Sequence, residues 1–268
     1  MLDLRLGFIG GGAMAAAITA GLVAQKAADP GSIYISDHKA PRCAVLEKKY
    51  GVRASVGKSF VRDTDVVILA VKPQVIKAAV AEVQPLLKDG ALVISIVAGL
   101  TLKDLESFFP GHAVIRVMPN TPLAVGAGMS AYACGSAVTE RDASIADAIF
   151  AASGFAIHVD EHVMDAVTGL SGSGPAYAFL MIDALADGGV AAGLKRPYAI
   201  QMAAQTLLGA AKMVLEQGRH PDVLRDQVTS PGGTTIAGVR VLEQRGVRGA
   251  LIDAVLAATE KSAELGKK

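Results

Sequence analysis

The residues Ser230-Pro-Gly-Gly-Thr-Thr235 place two adjacent glycines and several hydroxyl groups just before a segment of helical character, Ile236 to Arg245. Glycine lets a ligand approach the main chain closely. A helix N-terminus offers N–H groups and the positive end of the helix dipole, which suits a carboxylate or a phosphate. The alternative interpretation of the same residues is a threonine that caps the helix after a tight turn.

A second glycine-rich motif, Gly10-Gly-Gly12-Ala-Met-Ala15, follows the apolar strand Leu6–Ile9 and opens a helix. This is the G-x-G-x-x-A form of the dinucleotide fingerprint. Gly10 makes the tight turn, Gly12 leaves room for the pyrophosphate, and Ala15 permits close packing of the helix. The motif therefore predicts a nicotinamide-dinucleotide site.

The choice between NAD and NADP depends on the end of the second strand, Ser36-Asp37-His38-Lys39, with Arg42 one turn further on. An acid at this place usually binds the ribose hydroxyls of NAD, whereas basic neighbours accommodate the 2′-phosphate of NADP. Both signals are present, and Lys39 and Arg42 could equally be solvated surface charges. We favour NADP, with NADPH preferred and NADH possible.

Two further loops follow predicted strands, on the side where such sheets bind their ligands. They are Ala70-Val-Lys-Pro73 and Val117-Met-Pro-Asn-Thr-Pro122. Asn120 offers both a donor and an acceptor for a carboxamide. Simple strand termination is the alternative for both loops, and Lys72 is more typical of a solvated lysine than of a catalytic amine.

The elements that position these motifs alternate between strand and helix in the first half of the chain. Apolar runs without alternation, such as Val66–Ala70 and Leu92–Ile96, are typical of strands covered on both faces. We predict an α/β fold, a Rossmann-like doubly wound parallel sheet in residues 1–159. Helical periodicity dominates residues 160–268, which we assign to an all-helical domain for substrate binding and dimerisation.

Composition narrows the class of protein further. The 268 residues carry a net charge of +1, which gives no electrostatic case for a nucleic-acid or membrane partner. No apolar run reaches the ~20 residues that span a bilayer. Cys43, Cys134 and the scattered histidines lack metal-ligand spacing, so we expect no metal. We expect a soluble cytoplasmic protein without a signal peptide.

Together, five segments resemble pyrroline-5-carboxylate reductase over essentially the whole chain. They are Ile9–Ala15, Ala70–Pro73, Met118–Pro122, Gly169-Leu-Ser-Gly-Ser-Gly-Pro-Ala-Tyr177 and Ser230–Ile236. The resemblance implies reduction of 1-pyrroline-5-carboxylate to L-proline by NAD(P)H, the last step of proline biosynthesis. It also implies a homodimer, and in some members a decamer of five dimers.

The resemblance further implies which residues contact the cofactor and the substrate. The cofactor residues are Ile9, Gly10, Gly11, Gly12, Ala13, Met14, Ser36, Asp37, His38, Lys39, Lys58, Ala70, Val71, Lys72, Pro73, Val97, Ala98 and, near the nicotinamide, Asn120. The substrate residues are Ser230, Gly233, Thr234 and Thr235. One departure concerns Asp37, whose carboxylate beside a 2′-phosphate would be repulsive.

The chemistry of an imine fits a site without acids or bases. If the ring imine arrives protonated, it is already electrophilic, and no strong general acid is required. The amides of Gly233 and Thr234 would bind the carboxylate. Thr235 is the predicted catalytic residue, because its hydroxyl would hydrogen-bond the ring nitrogen and relay the proton, although a helix-capping role is its alternative.

Two other functions are weighed against this reductase. A β-hydroxyacid dehydrogenase also has the G-x-G-x-x-A start and a helical second domain, but it would place a catalytic lysine on the long helix that follows. The stretch Gly169–Phe179 contains no lysine. A nicotinamide-binding sensor without turnover is the other, and the intact Ser230–Thr235 segment counts against it.

Overall fold

The computed structural model describes residues 1–266. Contacts divide the chain into two compact units. The sheet unit contains Met1–Gly172 and the segment from Ala258 onwards, and the helical unit contains Ser173–Ala257. The sheet unit thus extends past its strands to Gly172, whereas the domain division predicted from the sequence, between 159 and 160, follows the end of the last strand.

The sheet unit is built on one eight-stranded sheet in the order β3-β2-β1-β4-β5-β6-β7-β8. Its strands are β1 Leu6–Ile9, β2 Ile33–Ser36, β3 Arg53–Ser55, β4 Val66–Leu69, β5 Leu92–Ser95, β6 Val114–Pro119, β7 Gly128–Cys134 and β8 Gly154–His158. Neighbouring strands are parallel except for β6 and β7, which run antiparallel. The doubly wound α/β class predicted from the sequence is confirmed.

Both faces of this sheet are covered, which explains the unbroken apolar runs. Successive residues of one strand enter different apolar clusters: Phe8 and Ile68 pack on one side, and Ile9, Val67 and Leu69 on the other. Because side chains alternate across a strand, a run such as Val66–Leu69 supplies both layers at once.

The sequence did not predict β3 and β7. The residues of β7 are Gly-Met-Ser-Ala-Tyr-Ala-Cys, whose small side chains give a weak strand signal. The strand is nevertheless almost entirely buried, because it pairs with β6 on one edge and β8 on the other. β3 has only three residues on the sheet edge. Both strands are defined by their neighbours more than by their own residues.

The described residues form eleven α-helices. In the sheet unit these are α1 Ala13–Ala24, α2 Ala40–Tyr50, α3 Ile76–Val83, α4 Leu102–Phe108, α5 Glu140–Ala151 and α6 Met164–Val167. The others are α7 Gly174–Ala191, α8 Arg196–Gln217, α9 Pro221–Gln227, α10 Thr234–Gln244 and α11 Val247–Gly266, whose C-terminal part belongs to the sheet unit. None of the helices described combines the length and apolar character that crossing a bilayer requires.

Within the helical unit, α7 and α8 pack through small side chains. Ala186, Ala199 and Ala203 are buried there, with Ile182 and Val190 beside them. Such residues bring two helix backbones close together. The predominance of helix in this part of the chain agrees with the periodicity of its sequence.

Candidate active site

A cleft of about 580 Å³ opens at the carboxyl ends of β1, β2 and β4. In the sheet order, β1 lies between β2 and β4. Successive connections therefore leave in opposite directions at this point, and open α/β sheets bind their ligands in the resulting crevice. Eleven of the predicted cofactor residues line it: Ile9, Gly10, Gly12, Ser36, Asp37, His38, Lys39, Lys58, Ala70, Val71 and Lys72.

The turn at Gly10 connects β1 to the floor of this cleft. Gly10 has φ = 104° and its N–H donates to the carbonyl oxygen of Ser36 at 2.8 Å. A Cβ at this position would lie 2.6 Å from the carbonyl oxygen of Ala70. Both the backbone angle and the space therefore require glycine here.

Gly12, unlike Gly10, has free space beside its Cα atom. It is the N-cap of α1, it uses no side chain to cap the helix, and a Cβ built on it would meet no atom within 4 Å. The first N–H groups of α1 lack acceptors within their own helix and face an approaching anion. The cleft thus has the bare main chain and helix start that a dinucleotide pyrophosphate needs.

Asp37 holds the glycine-rich turn through a hydrogen bond. Its Oδ2 accepts the N–H of Gly11 at 3.0 Å and its Oδ1 accepts the N–H of Lys39 at 2.9 Å, while the side chain is only 12% exposed. Arg42 completes the arrangement, since its Nε donates to the carbonyl oxygen of Gly11 at 2.7 Å. Arg42 is therefore not a free surface charge, and the Asp37 carboxylate is already occupied by main-chain donors.

We expect Asp37→Ser to weaken the binding of NADPH and NADH alike, by roughly tenfold, because the N–H of Gly11 in the glycine-rich turn and the N–H of Lys39 both lose a charged acceptor. Titration of the protein with each cofactor measures the effect, and Arg42→Met should change both affinities in the same direction. An acid that reads the ribose would behave differently: its loss would weaken NADH and strengthen NADPH. Opposite changes in the two affinities would contradict the role of Asp37 in holding the glycine-rich turn.

The remaining predicted cofactor residues do not line the cleft. They are Gly11, Ala13, Met14, Pro73, Val97, Ala98 and Asn120. Conversely, the sequence missed lining residues on α3 and on the turn before it: Gln74, Val75, Ala78, Ala79 and Glu82. No motif marks this group, because the face that α3 presents depends on how it packs on the sheet.

Asn120 uses its amide within the sheet unit. Its Oδ1 accepts the N–H of Met129 at 2.8 Å and its Nδ2 donates to the carbonyl oxygen of Ser171 at 3.1 Å. The side chain thereby links the start of β7 to the π-helical turn Thr168–Gly172. A contact with the nicotinamide, which stays a prediction, would have to use the second N–H of the same Nδ2.

The predicted substrate segment forms a turn ahead of α10. The N–H of Gly233 donates to the carbonyl oxygen of Ser230 at 3.0 Å, and Gly232 has φ = 67°. Proline followed by a glycine of positive φ is the residue pattern of a type II turn. A Cβ on Gly233 would lie 2.2 Å from the Ser230 Oγ, so the second glycine keeps the turn tight.

The structure corrects three expectations about this segment. α10 begins at Thr234 rather than Ile236, and Gly233, without a side-chain cap, is its N-cap. The capping role considered for Thr235 is therefore wrong, and within the described residues its hydroxyl makes no hydrogen bond. The Gly233 N–H is already used by the turn, so the amides left for a carboxylate are those of Thr234 and Thr235.

The glycine-rich turn, the reversal of strand order at β1 and the open start of α1 together define a Rossmann-type dinucleotide-binding protein. Comparison with family models gives a match to pyrroline-5-carboxylate reductase dimerisation over residues 161–265 and to coenzyme F420-dependent NADP oxidoreductase over residues 5–99. A pyrroline-5-carboxylate reductase from Synechocystis is 51% identical, with all of both chains covered. The chain belongs to the pyrroline-5-carboxylate reductase family.

Solved structures agree with this assignment. The pyrroline-5-carboxylate reductase from Coxiella burnetii superimposes with a TM-score of 0.93 at 36% identity, covering 98% of this chain and 99% of the other. The pyrroline carboxylate reductase of Plasmodium falciparum, with NADP bound, gives a TM-score of 0.88 at 31% identity, covering 99% of both chains. The similarity therefore includes both compact units.

Proposed function

We propose that this chain reduces 1-pyrroline-5-carboxylate to L-proline with a hydride from NADPH, the last step of proline biosynthesis. The observation that carries the proposal is the start of α10. A glycine caps this helix, so the N–H groups of Thr234 and Thr235 and the Thr235 hydroxyl are left for a ligand. Two amides and a hydroxyl match a ring that bears a carboxylate beside a nitrogen.

NADPH, when bound, supplies the hydride. The protein's part is to hold the protonated imine by its carboxylate and its ring nitrogen. The amides of Thr234 and Thr235 bind the carboxylate, with the turn Ser230–Gly233 fixing the start of the helix, and the Thr235 hydroxyl accepts the ring N–H. Because the imine is already protonated, its C=N electron pair can move to nitrogen on reduction, and the protein would need no acidic side chain to supply a proton.

The cofactor half of the proposal rests on the cleft of the sheet unit. Gly10 and Gly12 supply the turn and the open approach, and Asp37 holds the turn through Gly11. Each oxygen of Asp37 already accepts a main-chain N–H, which weakens the sequence argument for NAD. Lys39 and Lys58 line the same cleft and offer cations to a 2′-phosphate, which supports NADPH.

We also propose a cytoplasmic homodimer. The helical unit exposes large apolar side chains, including Phe179, Leu180 and Leu215, and apolar patches of this kind mark protein interfaces. Free thiols at Cys43 and Cys134 suit a reducing compartment. Light scattering after size exclusion reads the assembly directly: a monomer at micromolar concentration would contradict the dimer, and a tenfold mass would indicate a decamer of five dimers.

A substrate panel tests the proposed reaction. Purified protein is mixed with NADPH or NADH and 1-pyrroline-5-carboxylate, or with NADP+ or NAD+ and a β-hydroxy acid, and nicotinamide absorbance is followed. We expect oxidation of NADPH with the cyclic imine and formation of L-proline. Turnover of the hydroxy acid alone would indicate a β-hydroxyacid dehydrogenase, and cofactor binding without any turnover would indicate a sensor.

A further inference from the structure

An ion pair lies in the wall of the cofactor cleft. The Nζ of Lys58 is 2.6 Å from Oε2 of Glu82, and both residues line the cleft. Lys58 precedes the short turn Ser59–Asp63 after β3, and Glu82 is on the last turn of α3. Two segments from different parts of the sheet unit therefore meet through this pair.

Asp37 and Glu82 are the two acidic residues among those that line the cleft, and their carboxylates have different hydrogen-bond partners. Asp37 accepts main-chain N–H groups on both oxygens and is mostly buried. Glu82 is 60% exposed and is held by Lys58 alone among the described side chains, whereas Lys58 is 25% exposed. An exposed pair of this kind contributes little to folding stability, so its partners can be exchanged at small cost.

We propose that Glu82 is an internal counter-ion of Lys58 that the 2′-phosphate of NADPH replaces, and that it thereby sets the discrimination between NADPH and NADH. This rests on the proposed use of NADPH. A phosphate carries more negative charge than a carboxylate and offers three acceptor oxygens. NADH lacks this phosphate, so its binding leaves the pair intact.

The role predicts opposite effects for the two partners. In Glu82→Gln the competing charge is removed and Lys58 is free for the phosphate, so the Kd of NADPH should fall about three- to tenfold. In Lys58→Met the phosphate loses one of the cations that line the cleft, so the Kd of NADPH should rise about tenfold. The Kd of NADH should stay within about twofold of the wild-type value in both variants, since screened surface charges have small effects at a distance.

The experiment measures binding to the full chain without substrate, by calorimetric titration with NADPH, NADH and 2′,5′-ADP. The 2′,5′-ADP arm reports the phosphate contact without the nicotinamide. Matched controls are Asp89→Asn and Lys77→Met, because both residues are exposed and neither lines the cleft. They change the net charge as the test variants do, and should leave all three affinities unchanged.

Each outcome of these titrations either supports or overturns the counter-ion role of Glu82. Tighter NADPH and 2′,5′-ADP binding by Glu82→Gln, with NADH unchanged, supports the counter-ion role. Weaker or unchanged NADPH binding by that variant would overturn it, because Glu82 would then orient Lys58 or have no influence. An equal gain for NADH would also overturn it. If the wild-type protein binds neither NADPH nor NADH, the proposed function itself fails.

Discussion

Replacing Thr235 with valine is expected to lower turnover of the cyclic imine by about 100-fold while NADPH binding is unchanged. Valine has nearly the shape of threonine but lacks the hydroxyl that is proposed to accept the ring N–H. Because Gly233 rather than Thr235 caps α10, the substitution removes no capping interaction. The loss should therefore appear in kcat with little change in the free energy of unfolding.

Thr235→Ser is the matched control, since it keeps the hydroxyl at the second position of the helix and should retain most of the turnover. The measurements are steady-state kinetics with 1-pyrroline-5-carboxylate, a cofactor titration and a thermal unfolding curve. Near wild-type turnover in Thr235→Val would contradict the catalytic role. Loss of turnover together with loss of folding would instead indicate a structural role.

Replacing Gly12 with valine is expected to weaken NADPH binding by about 100-fold, or ~2.7 kcal/mol, with only the small loss of stability that a less favourable N-cap residue causes. A Cβ at Gly12 meets no protein atom within 4 Å, so the side chain begins in open space. That room is where the pyrophosphate approaches the start of α1. The valine side chain would therefore occupy the space of the ligand and would displace no protein atom.

Gly10→Ala separates this effect from a general intolerance of the glycine-rich turn. At Gly10 the backbone has φ = 104° and a Cβ would lie 2.6 Å from the Ala70 carbonyl oxygen. We therefore expect Gly10→Ala to destabilise the fold by roughly 1–3 kcal/mol. For both variants, calorimetry measures the stability of the fold and titration measures the affinity for NADPH. A Gly12→Val protein that is destabilised as much as Gly10→Ala, or that binds NADPH normally, would contradict the assignment of this position to the pyrophosphate.

Much of the sheet unit was predictable because its signals are local. Buried parallel strands such as Val66–Leu69 are apolar on both faces, and the turn at Gly10 needs a residue type that the sequence shows directly. β7 was not predictable, since its small side chains become strand-like only between β6 and β8. Its place in the sheet is a property of its neighbours.

In the site, too, the contacts that depend on how elements pack were not predictable from the sequence. The sequence identifies Asp37 and Arg42 as charged residues near the cofactor, but their hydrogen bonds to Gly11 depend on how β2 and α2 lie against the turn. Glu82 carries no motif and reaches the cleft only because α3 packs on the sheet. At Ser230–Thr235 the sequence suggests either an anion-binding site or a threonine that caps the helix, and in the structure Gly233 is the N-cap of α10.

The most direct test of the proposed reaction follows the hydride itself. NADPH that carries deuterium at both hydrogen positions of the reactive nicotinamide carbon is incubated with the protein and 1-pyrroline-5-carboxylate, and the amino-acid product is analysed by mass spectrometry and NMR. We predict L-proline with one deuterium on the ring carbon that was the imine carbon. Unlabelled proline, or oxidation of NADPH without proline, would contradict direct hydride transfer to the imine.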